Sequence, residues 1–233
     1  MPNHLSILAV LFFCCYLVSP MQAQLDIGLR GGVHLAYNNL DFDIDPAQIT
    51  EVESITGLTL SIPIEFPAGR MFSFQSGLSF VSKGTLLHHR EAGQSYMSIS
   101  KYRIDYLEIP ILSKISLRLH PFDLFLLGGV NVGYAVDLKA YRLSYDLVWL
   151  RQEYFKMDFQ RAGVDRFDIS MVLGGGLMAH ISRGKKIFID ARYDFGFYDI
   201  DAEAGSEVFN AGRSFTMGIL IPFKQPKSPQ DID

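Results

Sequence analysis

From Asp26 to Phe223 apolar and polar residues alternate with a period of two, which sets successive side chains on opposite faces of a strand. In Asp26–Tyr37, Ile27, Leu29, Val33, Leu35 and Tyr37 fall on one face, and Asp26, Gly28, Arg30, Gly32 and His34 on the other. The same pattern predicts strands over Gly57–Phe66, Phe72–Lys83, Arg103–Leu117, Phe122–Leu138, Phe167–Ser182, Ile187–Tyr198 and Ser214–Phe223. That makes eight strands, most of them long enough to cross a bilayer, which takes about 9–11 tilted residues.

The connections alternate in length. Asn38–Thr56, Gly84–Tyr102, Lys139–Arg166 and Ile200–Arg213 are long, whereas Pro67–Met71, Arg118–Pro121 and Arg183–Lys186 are short. Short turns on one rim and long loops on the other predict an all-β, eight-stranded antiparallel up-and-down transmembrane barrel with both ends of the chain at the short-turn rim. A soluble, lipocalin-like barrel also alternates, but with its apolar face inside. Here the polar face is rich in Gly and Ser with scattered charges of both signs, and lacks the dense charged cover of a solvated exterior. Small residues suit the inside of a narrow barrel, where side chains fill the lumen, and the bulky charge-free face suits lipid.

Composition sharpens this. Residues 1–23 hold no Asp, Glu, Lys or Arg, and the apolar run Leu5–Val18 ends before Pro20 and Ala23. The run is too short for a comfortable membrane helix and predicts a signal peptide over 1–23, a barrel over 24–223 and a flexible polar tail over 224–233. Both cysteines, Cys14 and Cys15, lie in that leader, so the mature chain has no disulfide framework and no thiol chemistry. The net charge of −4 argues against nucleic acid as a partner.

Several segments resemble a known family. LDIGLRGGVHLAY, FSFQSGLSFVSKG, YLEIPIL at Tyr106–Leu112, FLLGGVNVGY, VLGGGLMAHIS, ARYDFGF and RSFTMGILIPF together cover nearly all of the mature chain. In that order they resemble the PorT-like outer-membrane β-barrel domain family of the Bacteroidota type, with Y-L-E-I-P the most specific block. The resemblance implies an outer-membrane location and, through the family's namesake, a link to type IX protein secretion and envelope assembly. Secretion-system or envelope proteins are then the expected partners beside outer-membrane lipid, with the barrel itself a monomer.

Candidate chemistry is sparse. Arg30, Glu65, Glu108, Lys114, Asp190, Arg192 and Asp194 share the polar face and are expected to form a paired lumen plug, since buried charges persist only when paired. Arg30 or Arg192 is the expected partner of Glu108, and a narrow ion path is the alternative use of the same groups. Pro110, in a sheet without a free edge, predicts a bulge or broken ladder, matched by Pro63 two strands earlier. Asp41, Asp43 and Asp45 mimic the start of a calcium loop, but Pro46 and Val52 occupy the positions that need Gly and Glu. Neither a metal nor a cofactor is expected. His88, His89, Glu91 and Ser95 share a loop without the spacing of a strand-anchored catalytic group, so the chain reads as a non-enzyme. Tyr141, Tyr145, Trp149, Tyr154 and Phe155, with Phe159, crowd the third long loop, a density typical of recognition surfaces. The alternative role is therefore a surface binding or adhesion barrel acting through its long loops.

Overall fold

The computed structural model describes residues 25–41, 48–91, 97–119, 121–145, 150–156, 158–160, 162–181, 184–200 and 207–223. Nine strands follow in chain order: β1 (Asp26–Asp41), β2 (Gln48–Pro67), β3 (Phe72–Glu91), β4 (Met97–Leu119), β5 (Phe122–Tyr145), β6 (Leu150–Lys156), β7 (Phe167–His180), β8 (Lys186–Gly196) and β9 (Glu207–Pro222). Eight of them close a ring in the order β4-β3-β2-β1-β9-β8-β7-β5, with β5 pairing back to β4 and every pair antiparallel. Phe223 N–H donates to Leu25 O at 2.6 Å, so the two ends of the described barrel meet at the short-turn rim.

The ninth strand departs from the expected loop. β5 runs past the ring, and its outer part, Lys139–Tyr145, pairs with β6 to form a hairpin. Strands β1 to β4 and β9 also extend outward beyond the apolar alternation. Past the bilayer no face is required to be apolar, so the period-two signal that finds a membrane strand vanishes while the ladder continues. The expected signal peptide and polar tail, and the acidic run Asp43–Pro46, lie outside the described residues.

The faces fall as the alternation predicts. On β4, Leu107, Ile109, Ile111, Ile115, Leu117 and Leu119 are exposed on the outer wall, while Tyr106, Glu108, Leu112 and Lys114 are buried in the lumen. The lumen is layered. Leu112, Phe125, Leu127, Val172, Met178, Phe188 and Leu220 pack near the short-turn rim. Val81, Ile104, Tyr106, Ala135 and Leu138 pack towards the other end with Phe159 and Ile200 from the long connections. Charged residues fill the space between.

Pro110 sits, as expected, at a broken stretch of ladder, without a bulge, and Pro63 matches it where the β1–β2 rungs skip from Ile27↔Ile64 to Arg30↔Ser61. In β2–β3, Pro63 stands opposite Gly77; in β3–β4, the paired rungs jump from Gln75↔Leu112 to Ser79↔Glu108 with no change of register. The skipped rungs set Pro110 beside Gly77, so one row runs Pro63, Gly77, Pro110. Gly77 has φ 137°, and a Cβ there would collide with the Ile62 carbonyl, so only glycine fits between the two prolines. The changes of register lie elsewhere, between Ser54 and Thr59 of β2 and between Asp105 and Tyr106 where β4 meets β5.

Candidate functional site

Two places concentrate polar chemistry: the lumen and the outer end of β3–β6. In the lumen, all seven residues expected in the plug face inward, but their pairing differs from expectation. Glu108 is held by Lys83, whose Nζ lies 2.6 Å from Glu108 Oε1 and 2.8 Å from Asp168 Oδ2. Arg30 donates instead to Ser61 Oγ at 2.8 Å, and Arg192 binds Asp190 at 2.7 Å and Gln75 at 3.2 Å. The reason is reach. Glu108 and Asp168 flank Gly133 in register, and this glycine leaves room for a long lysine crossing the Tyr106 ring at 5.2 Å. A Cβ at Gly133 would lie 3.3 Å from Glu108 Cγ.

Lys114 forms the second buried pair, 2.8 Å from Glu65 Oε2, while Ser73 donates to Glu65 Oε1 at 2.8 Å. Asn131 donates to Glu108 Oε2 at 3.2 Å, and Asn210 to Asp168 Oδ2 at 3.0 Å. Thr216 donates to Asp190, and Ser214 to Asp194 at 3.4 Å. Four cations (Arg30, Lys83, Lys114, Arg192) thus share the interior with five carboxylates (Glu65, Glu108, Asp168, Asp190, Asp194), in several separate hydrogen-bonded groups. Lys83 and Asp168 were absent from the expected plug, although their strand parity already placed both on the polar face.

The lumen also brings His34, Ser214 and Asp194 together. His34 Nδ1 lies 3.3 Å from Ser214 Oγ and 3.7 Å from Asp194 Oδ2, and Ser214 bonds Asp194 directly. A Ser-His-Asp relay needs the hydroxyl and the carboxylate on opposite ring nitrogens. Here both crowd one nitrogen, on a histidine with 0% exposure, so the trio is lumen packing. At the loop-two position, His88 lies 3.4 Å from Glu53; Ser95 is outside the described residues, as is the His89 side chain.

The outer end is organised by the irregularity at Asp105/Tyr106. One extra residue on β5 shifts its parity, turning Asp137, Lys139 and Tyr141 to the outer wall beside Asp105, Arg103 and Lys101 of β4. Asp105 receives Ser82 Oγ at 2.6 Å, Arg103 Nε at 2.9 Å and Lys139 Nζ at 3.4 Å. Lys139 Nζ also lies 2.6 Å from Asp137, and that hydrogen bond holds the Asp137 carboxyl below its ordinary range and Lys139 above its own. Lys156 of β6 approaches Asp137 at 3.6 Å.

Of the loop aromatics, Tyr141 and Tyr154 come together across β5–β6, ring centroids 4.8 Å apart and Tyr154 55% exposed. Trp149 and the side chains of Tyr145 and Phe155 lie outside the described residues. Phe159 turns inward and caps the lumen, under the Arg166 guanidinium at 4.5 Å. The interfacial aromatics are different residues: Tyr134 and Phe167 meet edge to face at 5.4 Å opposite Leu107. Tyr141 pairs with Lys101, six residues beyond Leu107, hence about 15 Å farther out at the usual strand rise and tilt.

The sequence profile of the outer membrane protein beta-barrel domain matches residues 21–202. The chain belongs to that family. Its place is therefore the outer membrane, with the short turns at the periplasmic rim and the long connections outside. β9 lies beyond the matched span yet completes the ring between β8 and β1. Among solved structures, the chain is similar to Neisserial surface protein A, at 8% identity over 84% of this chain and 97% of that one, with TM-score 0.45. It is also similar to OprG from Pseudomonas aeruginosa, at 13% identity, 86% and 98% coverage and TM-score 0.44. Ail, the attachment invasion locus protein of Yersinia pestis, aligns at 15% identity, 85% and 99% coverage and TM-score 0.35. No curated protein sequence matches the chain.

Proposed function

We propose that this protein is a non-enzymatic outer-membrane barrel that binds a partner through the β5–β6 hairpin. The observation that carries the reading is the hairpin itself. β6 pairs with β5 alone, so along its whole length its other edge has no strand partner among the described residues, and it stands beside the paired Tyr141 and Tyr154 rings. A free edge offers main-chain hydrogen bonds to an added strand, and exposed tyrosines supply contact area at low entropic cost. The paired, capped lumen is barrel filling and leaves the outer surface as the working part.

The resemblance of Tyr106–Leu112 to the PorT-like family supports a second, narrower reading, in which the partner belongs to a secretion or envelope-assembly apparatus. The motif contributes wall and lumen, with Tyr106 and Glu108 buried, so any shared partner is met elsewhere on the molecule. One comparison separates the readings. Cells carrying Tyr141→Ala/Tyr154→Ala in the chromosomal copy are compared with wild type and with a deletion strain for secreted proteins and for proteins crosslinked to the barrel. Loss of a crosslinked partner with an unchanged secretome supports surface binding, and a secretome that falls in both strains supports secretion. A variant that keeps every crosslink would sink the hairpin reading.

A further inference from the structure

Just above the apolar wall the outer surface of β4–β6 carries a row of cations. Arg103, Lys139 and Lys156 are direct neighbours across three strands, and Lys101 stands one outward-facing position higher on β4. Adjacent strands are about 4.8 Å apart, so the row spans about 10 Å. Arg103 is four residues beyond Leu107, where the continuous apolar outward run of β4 ends, or about 10 Å above the wall at the usual rise and tilt. That is the depth of lipid headgroups.

The charges are stacked, with the anions underneath. Asp105 and Asp137 lie nearer the wall; the Asp105 side chain is 7% exposed, covered by Arg103 and Lys139. The cations remain accessible, Arg103 at 36%, Lys139 at 27% and Lys156 at 75%, and Lys101 makes no ion pair among the described residues. Four cations over two carboxylates leave a surplus of two positive charges, on a chain whose net charge is −4. The Asp pair fixes the heads of Arg103 and Lys139 in place, so an incoming anion need not order them.

We propose that this row is a binding site for the phosphate groups of an outer-leaflet glycolipid, seated against the outer wall with its acyl chains on the Leu107–Tyr134 surface. Arginine and lysine are the side chains suited to phosphate, and the depth matches a headgroup fixed in the bilayer. The inference uses a different surface from the hairpin edge and stands whether or not that edge binds a protein.

The test reconstitutes the full chain in bilayers containing either a bisphosphorylated diglucosamine lipid or the same lipid after dephosphorylation, and reads co-purified lipid by native mass spectrometry. The wild type is expected to retain the phosphorylated lipid selectively, with retention weakening as salt rises. Lys101→Gln/Lys156→Gln, at accessible positions with at most a long ion pair, is expected to weaken retention about thirty-fold, at about fivefold per cation. Asp137→Asn is expected to strengthen it about fivefold by unmasking charge, a change of sign that structural damage does not produce. Equal retention of both lipids by the wild type overturns the proposal, as does unchanged retention by a correctly folded double variant. Displacement of the lipid by millimolar inorganic phosphate assigns the row to a soluble anion and overturns it equally.

Discussion

Replacing Lys83 by Met removes the one cation that two lumen carboxylates share. Its Nζ lies 2.6 Å from Glu108 and 2.8 Å from Asp168, with the lysine side chain 3% exposed. At an effective dielectric of about 20 these contacts amount to roughly 12 kcal/mol of gross attraction, most of it offset by the desolvation of three ions. What the variant loses is set by the carboxylates left behind, and breaking a buried pair in this way costs about 3–5 kcal/mol. With a urea dependence of about 2 kcal/mol per molar, the unfolding midpoint is expected to fall by about 2 M. The assay is reversible urea unfolding in lipid vesicles, followed by tryptophan fluorescence and by the mobility difference between boiled and unboiled protein. Lys83→Met/Glu108→Gln/Asp168→Asn, which removes all three charges, is expected to recover more than half of the loss. A Lys83→Met midpoint within about 1 kcal/mol of wild type, or a triple variant no better than the single one, would refute the pairing.

Two further tests address the wall and the outer cap. Ile111, near the middle of the apolar run on β4 and 58% exposed, faces lipid; Ile111→Arg is expected to cost about 2–4 kcal/mol in the same vesicle assay, and an unchanged midpoint would place that face off the bilayer. Asp165 accepts the Phe167 N–H at 3.1 Å and the Tyr198 hydroxyl at 2.8 Å, bonds that hold its carboxyl below the ordinary range. Because its folded value lies below its unfolded one, the stabilisation is complete above the unfolded value and is lost as pH falls through the folded value. Amide exchange at Ala162, Val164 and Ile200 is therefore expected to accelerate selectively below about pH 4, measured against a reference for intrinsic exchange, and Asp165→Asn is expected to abolish that extra acid sensitivity.

The ring was legible because lipid imposes a pattern on one face of every strand. Leu107, Ile109 and Ile111 alternate with Glu108 and Pro110, and the structure sets them on the faces that alternation assigns. The hairpin was not legible, because Lys139–Tyr145 and Leu150–Lys156 lie beyond the apolar wall that enforces the alternation, and their aromatics read equally as loop. The lumen was legible in membership and not in partners. Parity put Arg30, Lys83 and Asp168 on the polar face, but which cation reaches Glu108 depends on lateral strand order and on the gap at Gly133, neither of which period two encodes. The cation row was hidden for a further reason: one extra residue on β5 reverses parity, so Asp137 and Lys139 exchange the faces that the inner half of the strand predicts.

The row Pro63, Gly77, Pro110 has a bearing on how the barrel assembles. A period-two sheet tolerates slips by two residues without exposing a single charge to lipid, so the face pattern alone does not forbid them. A slip of β3 by two in either direction would replace Gly77 with Gln75 or Ser79 between two residues that donate no amide hydrogen. Either side chain would need the positive φ that glycine supplies here, and its Cβ would meet a backbone carbonyl. The three residues thus act as a keyed notch that lets β3 seat between β2 and β4 in one alignment during insertion.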